Sequence, residues 1–159
     1  MGEHPIADQI LSLLQGRWSE SFEHEAVRTS EEAAKIRDGY TLQQGAKAIL
    51  VRIKTPEGKK FAMLVMPADR KFDSAKAKQV LASKDMRFAT EEEVEEITGG
   101  IRPGGVPPFG NLFGLRVVAD PSLFENEKIV FNAGRTASIA MLSADYRELV
   151  RPTVAEIVV

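Results

Sequence analysis

The stretch AKAILVRIKTPEGKKFAMLVMP, from Ala46 to Pro67, predicts the centre of the fold. It contains two runs rich in β-forming residues, Ala46–Lys54 and Lys60–Pro67, separated by a segment that holds a proline and a glycine. This pattern is typical of a β-hairpin. Because each run is apolar over four or more consecutive positions, we expect both strands to lie in the middle of a sheet with both faces covered.

Helices and further strands are predicted on both sides of this hairpin. Apolar residues at helical spacing, or a capping residue before such a run, predict helices over Pro5–Leu14, Thr29 to about Gly39, Asp73–Ser83, Thr90–Ile97 and Ser143–Val150, the last with Ser143 as its cap. Further strands are predicted over Ser21–Val27, Leu112–Val118, Lys128–Asn132, Thr136–Leu142 and Thr153–Val159. Because helices and strands do not alternate regularly, the sequence predicts an α+β fold. We expect a largely antiparallel mixed sheet, or a barrel-like sheet, with peripheral helices.

Length and composition indicate one globular domain over residues 1–159. The chain has no cysteine, which excludes disulfides and thiolate metal sites. Its N-terminus lacks the basic start and apolar core of a signal peptide, and no segment approaches the roughly 20 apolar residues of a membrane span, so we expect a cytoplasmic protein without a membrane partner. A net charge of −2 with mixed signs argues against a grip on duplex DNA, whereas contact with a nucleic-acid end needs only a few cations.

Few residues suit side-chain catalysis. The only histidines are His4 and His24, and no serine stands in a nucleophile-elbow context. His24, on a predicted strand, is more typical of a packing residue than of a base. The glutamates from Glu91 to Glu96 indicate a solvated helix face, and the chain has no phosphate-binding glycine motif, so neither a metal nor a cofactor is predicted.

The segment GGIRPGGVPPFGN, from Gly99 to Asn111, concentrates five of the chain's twelve glycines and three of its eight prolines. We call it the glycine loop. Gly104 and Gly105 let a ligand approach the backbone closely, and the prolines fix φ around them. Such a loop suits an anion or a developing oxyanion, but it is equally typical of a structural turn. Lys47, at the start of a strand, is by itself typical of a solvated cation.

Five motifs together resemble one family. In chain order they are TSEEAA (Thr29–Ala34), AKAILV (Ala46–Val51), VMPADRKFD (Val65–Asp73), GGVPPFG (Gly104–Gly110) and FNAG (Phe131–Gly134). Their order and spacing resemble the YbaK family, also called the prolyl-tRNA-synthetase-associated editing domain, from about His24 to Asp145. Pro107 stands where many members carry serine, but the frame from Gly104 to Pro108 is kept.

This resemblance implies a YbaK-like fold and a freestanding enzyme that needs no cofactor. Such an enzyme hydrolyses the ester between an incorrect amino acid and tRNA, typically the tRNA for proline, and holds the 3′ acceptor end of that tRNA. Lys47, Gly104 and Gly105 match the catalytic positions. The substrate-binding positions are matched by His24, Thr29, Val106, Pro107, Pro108, Phe109, Asn132, Ala133, Gly134 and Asp145. The family processes alanine, serine, threonine and cysteine, and the sequence does not select among them.

The residue chemistry agrees with hydrolysis without a protein nucleophile. An aminoacyl ester is already activated, so positioning a water and stabilising an oxyanion can suffice. In this interpretation Lys47 binds the terminal ribose or phosphate, and Lys54, Arg70 and Lys71 are further candidates for substrate contacts. Because the proposed catalytic groups are mostly backbone, a non-catalytic module that binds a tRNA 3′ end or another nucleotide-bearing ligand is the alternative.

Overall fold

A computed structural model describes residues 5–26 and 39–159. In these ranges the chain forms the helices α1 (Pro5–Leu13), α2 (Ser74–Leu81), α3 (Glu91–Thr98) and α4 (Ser143–Val150). The strands are β1 (Ser19–Glu23), β2 (Ala46–Thr55), β3 (Gly58–Pro67), β4 (Met86–Phe88), β5 (Arg116–Ala119), β6 (Lys128–Asn132), β7 (Ala137–Leu142) and β8 (Thr153–Val154). The helix predicted from Thr29 falls on residues outside the described ranges.

The strands form two sheets that meet at one point. One sheet has the order β1-β7-β6 and is antiparallel throughout. The other has the order β4-β2-β3-β5-β8, antiparallel from β4 to β3 and parallel from β3 to β8. A single parallel bridge between Gly45 and Val130 links them, and we call this point the seam. The predicted α+β fold with a largely antiparallel mixed sheet is confirmed, and the described strands do not close into a barrel.

The hairpin predicted from the sequence lies at the centre of the larger sheet. Strands β2 and β3 pair from Ala46–Pro67 to Thr55–Gly58, with β4 beyond β2 and β5 beyond β3. Gly58 closes the turn with a φ of +119°, a conformation that glycine adopts without strain. Residues 62–67 of β3 are all buried, as expected for a strand covered on both faces.

Apolar side chains pack in two clusters, one on each face of the larger sheet. The main core lies between the inner faces of the two sheets and includes residues of α1, the glycine loop and α4. A smaller core packs α2 and the C-terminal Ile157 and Val158 against the opposite face. Alternate residues of β2 and β3 therefore face different cores, and the site described below follows from this alternation.

Several sequence predictions differ from the structure in detail. The strand predicted over Leu112–Val118 begins only at Arg116, because residues 110–113 form a 3₁₀ turn that ends at Gly114 with a φ of +71°. Ser143 does not cap α4: it is the helix's first residue, and its hydroxyl donates to the carbonyl of Asn126 at 2.5 Å. The strand predicted over Ser21–Val27 is found at Ser19–Glu23, and the C-terminal strand shrinks to Thr153–Val154.

The C-terminal segment is held by one buried carboxylate. Asp120, only 2% exposed, accepts hydrogen bonds from the amides of Ile157 at 2.8 Å and Ser122 at 3.0 Å, and from the Ser122 hydroxyl. Burial alone would raise the pKa of Asp120, but these donors outweigh it and lower the pKa. Ile157 belongs to the smaller core, so this carboxylate fixes one side of that core.

We therefore expect Asp120→Asn to lower the free energy of unfolding at pH 7 by about 2 kcal/mol, the range for hydrogen bonds to a charged group. Because the folded-state pKa is depressed, the stabilisation is complete above the unfolded-state pKa of about 3.9 and is lost as pH falls through the lower folded value. Urea denaturation at pH 7 and below about pH 4 measures both effects. The exposed Asp69→Asn is the control, and a gap between wild type and Asp120→Asn that stays constant with pH would contradict the prediction.

Candidate active site

A row of polar side chains crosses the smaller sheet on the face turned away from the main core. Phe131 of β6 and Ile139 of β7 point into the core, so their neighbours Asn132 and Ser138 point to the other face. Asn132 and Ser138 are directly opposite each other in the antiparallel register. His24 follows β1, and its ring contacts Ser138. Three strands thus bring three polar groups together.

Lys47 extends this row across the seam onto β2. Gly45 pairs in parallel with Val130, so Lys47 and Asn132 each lie two residues beyond the same pairing. Ala48, the next residue, packs against the main core, which turns Lys47 to the outer face. Its side chain is exposed, and none of the hydrogen bonds or ion pairs found among the described residues involves its ammonium. We call His24, Ser138, Asn132 and Lys47 the polar row.

Hydrogen bonds connect the polar row to the glycine loop. The His24 Nε2 atom lies 2.8 Å from the Ser138 hydroxyl oxygen, which lies 3.3 Å from the Asn132 Oδ1 atom. The Asn132 Nδ2 atom donates to the carbonyl of Gly104 at 2.7 Å. The sequence-predicted positions His24, Asn132 and Gly104 therefore belong to one connected network.

Two consecutive peptide planes of the glycine loop are fixed by the β6–β7 turn. Asn132 holds the carbonyl of Gly104, and the amide of Gly134 donates to the carbonyl of Gly105 at 2.7 Å. In a trans peptide the carbonyl and the following N–H point in opposite directions, so the amide of Val106 points away from Gly134. The turn therefore sets the direction of the Val106 amide.

The loop's amides differ in their availability. The amide of Gly105 donates to the carbonyl of Arg102 at 2.8 Å and is not free for a ligand. None of the hydrogen bonds found among the described residues uses the amides of Gly104 or Val106. Val106 is only 7% exposed, and a buried amide normally has an acceptor. These two amides can donate hydrogen bonds to an anionic oxygen of a ligand.

Gly105 has a structural role: it lets the glycine loop pack closely against the β6–β7 turn. A Cβ atom added at this position would lie 2.7 Å from the amide nitrogen of Arg135 and 2.7 Å from the carbonyl carbon of Gly134. Both are backbone atoms, which cannot move aside as a side chain can. Only glycine lets the loop lie against the β6–β7 turn at this distance.

The second half of the loop is anchored in the main core. The Tyr146 hydroxyl donates to the carbonyl of Pro108 at 2.6 Å, and burial raises the pKa of Tyr146, which keeps this proton in place. Phe109 is fully buried, with its ring 5.6 Å from those of both Phe131 and Tyr146. Pro107 is also buried. The loop is therefore held at both ends.

An open cavity of about 590 Å³ lies beside Gly104. Its walls carry carboxylates from α3 and guanidinium groups from the glycine loop and the β6–β7 turn; the lining residues are Glu91, Glu95, Arg102, Pro103, Gly104 and Arg135. Arg102 lies 3.8 Å from Glu95, and both side chains are exposed. The cavity is polar, with balanced charge, and it gives a ligand access to the loop.

Two of the predicted site residues, Ala133 and Asp145, belong neither to the polar row nor to the cavity lining. Thr29 lies outside the described residues. Ala133 is fully buried, and its amide donates to the carbonyl of Ala137 at 2.9 Å within the β6–β7 turn. Asp145 on α4 forms an ion pair with Arg17 at 2.7 Å, which ties α4 to the segment after α1. Asp145 is thus engaged in a structural contact.

Sequence reasoning missed Ser138, Arg102, Arg135 and the cavity wall of α3. Strand alternation could have identified Ser138, because a tight hairpin from Asn132 pairs it with that residue. The sequence indicated a solvated helix face for the glutamates of α3. It could not place Glu91 and Glu95 beside Gly104, because that proximity depends on how α3 packs against the glycine loop. In the described part of the chain, no three metal-ligating side chains lie close enough together to hold an ion, and no helix could cross a membrane.

Comparison with known proteins points to one family. The family model "Aminoacyl-tRNA editing domain" matches residues 24–149. The multifunctional Ser/Thr-tRNA deacylase ProXp-y of Escherichia coli strain K12 is 35% identical over 131 residues, which cover 81% of this chain and 77% of that protein. A proline–tRNA ligase of Stenotrophomonas maltophilia strain R551-3 is 28% identical over 82% of this chain but only 23% of the ligase. The crystal structure of a proposed trans-editing enzyme for prolyl tRNA synthetase matches with a TM-score of 0.81 and 25% identity over 99% of both chains.

We expect Gly105→Ala to displace the glycine loop, because the added methyl group meets backbone atoms of Gly134 and Arg135. The free energy of unfolding should fall by about 1–3 kcal/mol, as for other overpacked sites. The amide of Gly134, which donates to Gly105, should exchange with solvent deuterium faster than in the wild type. Gly110→Ala is the comparison variant, since its methyl meets a side-chain atom of Val117 at 2.6 Å at the far end of the same loop; it should lower stability but leave exchange at Gly134 close to the wild-type rate. Unchanged exchange at Gly134 in Gly105→Ala would contradict this reading.

Proposed function

The chain belongs to the aminoacyl-tRNA editing domain family, and we propose that it hydrolyses the ester bond between an incorrect amino acid and a tRNA. It is a hydrolase that acts on mischarged tRNA, without a nucleophilic side chain of its own. We propose that it holds the 3′ acceptor end through the cavity beside Gly104, with the scissile carbonyl at the glycine loop.

The observation that carries this proposal is the pair of loop amides at Gly104 and Val106. They have no acceptor among the described residues, and hydrogen bonds from Asn132 and Gly134 fix the two peptide planes that lie between them. Preorganised backbone donors of this kind stabilise the negative charge that develops on a carbonyl oxygen under attack. Because the donors are already in place, no reorganisation is needed as the charge forms.

The reaction needs water and no covalent enzyme intermediate. The oxygen of a water attacks the ester carbonyl carbon, and the carbonyl oxygen becomes an oxyanion that the two amides hold. The tetrahedral intermediate then collapses, the bond from carbon to the ribose oxygen breaks, and the free amino acid leaves. The proton lost by water passes to a group of the substrate or to solvent and replaces the one that the ribose hydroxyl gains. Atoms and charge balance without a redox partner.

Lys47 adds a positive charge to the polar row. Its ammonium has no acidic partner among the described residues, and its side chain lies on the same face as Asn132. We propose that it binds the terminal ribose or phosphate of the tRNA and fixes the ester against the loop. An exposed, mobile ammonium suits electrostatic contact.

The relatives indicate which substrates to test first. The named activity of the Escherichia coli relative is deacylation of seryl- and threonyl-tRNA, and several other relatives are proline–tRNA ligases. We propose mischarged tRNA carrying a small amino acid as the substrate class, with seryl-tRNA, threonyl-tRNA and mischarged tRNA for proline as the first candidates.

We expect the purified protein to release amino acid from at least one of these tRNAs, and Lys47→Ala to lower kcat/KM by about 10²-fold or more, the cost of losing one positioned electrostatic group. Release of radiolabelled amino acid under single-turnover conditions measures this effect. Lys60→Ala is the matched control, because Lys60 is an exposed lysine at the far end of the same hairpin, paired with Glu57.

Two results would count against the proposal. Full activity of Lys47→Ala would remove this lysine from the site. Tight binding of a non-hydrolysable aminoacyl-adenosine, together with no turnover of any mischarged tRNA, would favour the non-catalytic binding module.

A further inference from the structure

We propose that His24 is a positioning residue for the glycine loop, acting through Ser138 and Asn132, and that its ring does not contact the substrate. This inference rests on the proposed function, because the loop it positions is the one that holds the scissile ester. It also assigns a role to Ser138, which the sequence motifs do not mark.

Both ring nitrogens of His24 are occupied by protein groups. The Nδ1 atom lies 2.8 Å from the carbonyl of Glu25, which can only accept, so the ring donates there. The Nε2 atom lies 2.8 Å from the Ser138 hydroxyl oxygen. An imidazole held at both nitrogens has none left to take a proton from an attacking water. The geometry therefore favours a supporting role over that of a general base.

Ser138 connects the ring to the amide that holds the loop. A serine hydroxyl has one proton, so its bond to the Asn132 Oδ1 atom requires the ring to donate to the serine oxygen through Nε2. Together with the donation from Nδ1 to Glu25, this set of bonds is complete in the imidazolium form of His24, in which both ring nitrogens carry a proton. With Oδ1 oriented toward Ser138, the Asn132 Nδ2 group faces the carbonyl of Gly104 at 2.7 Å. The direction of each bond fixes the next one, from the end of β1 to the loop.

This network of hydrogen bonds ends at the carbonyl of Gly104, where a small displacement of the backbone would affect the reaction most. The carbonyl of Gly104 belongs to the peptide that precedes Gly105, and the flanking amides of Gly104 and Val106 are the proposed oxyanion donors. Misplacement of such groups by about 1 Å can cost about 10²-fold in rate. A positioning residue should therefore change kcat, whereas a residue that contacts the substrate in its ground state changes KM.

A double-mutant cycle tests the inference. We expect His24→Phe, which keeps a ring of similar size, to lower kcat about tenfold or more and to leave KM within about twofold. Asn132→Ala should lower kcat by at least as much. His24→Phe added to Asn132→Ala should have little further effect, because the path from the ring to the loop is already cut. Independent effects that multiply, or a rise in KM with kcat unchanged, would overturn the inference.

Two further measurements keep the test decisive. Ser138→Ala cuts the same path with a smaller change of volume and should reproduce the kcat effect if His24→Phe fails to fold; a normal kcat would overturn the inference. Ser83→Ala is its matched control, because Ser83 is also a buried, hydrogen-bonded serine but lies against Lys54 and Asp85. Deuterium exchange at the Gly134 amide should be faster in His24→Phe than in wild type, and this readout needs no activity. Wild-type protein that deacylates no tRNA would refute the proposed function, while slow exchange in both proteins would refute the positioning role.

Discussion

Gly45 and Val130 pair in parallel at the seam, and the position of the candidate site depends on this pairing. It brings the start of β2 beside β6, so that Lys47 and Asn132 lie level with each other on the outer face. A register shift of one residue would turn Lys47 into the main core and Ala48 out of it. Burying an unpaired ammonium costs several kcal/mol, so the main core itself enforces the register that the site requires.

The glycine loop shows how a site can be built from backbone. Its proposed donors are amides, and its carbonyls are held by three groups from outside the loop: the amide of Gly134, the side-chain amide of Asn132 and the hydroxyl of Tyr146. The prolines reduce the conformational entropy that the loop loses on folding, and Phe109 anchors it in the core. Rigidity of this kind keeps the geometry of the proposed oxyanion site in the absence of substrate, at the cost of an amide at Val106 that has no acceptor among the described residues.

The sequence predicted the fold well where local signals agreed with one another. The hairpin, the capping box at Thr90 and the strand Lys128–Asn132 were all correct, because alternation, turn residues and caps are local properties. Prediction failed where contacts beyond the local sequence decided the outcome. The strand predicted from Leu112 is interrupted by a tight turn that ends at Gly114, and Ser143 does not cap its helix because its hydroxyl donates to the carbonyl of Asn126.

The site was predictable only to the level of motifs. The resemblance marked Lys47, Gly104 and Asn132, but only the three-dimensional structure reveals that the amide of Gly105 already has an acceptor and that Ser138 connects His24 to the loop. Backbone donors stabilise the oxyanion of any ester in the same way, so they provide no selectivity between amino acids. Discrimination must come from the surrounding walls, where each unsuitable group costs binding energy. The cavity beside Gly104 offers charges of both signs for such discrimination. In the mechanism that we propose, the loop provides the rate and the surrounding walls select the substrate.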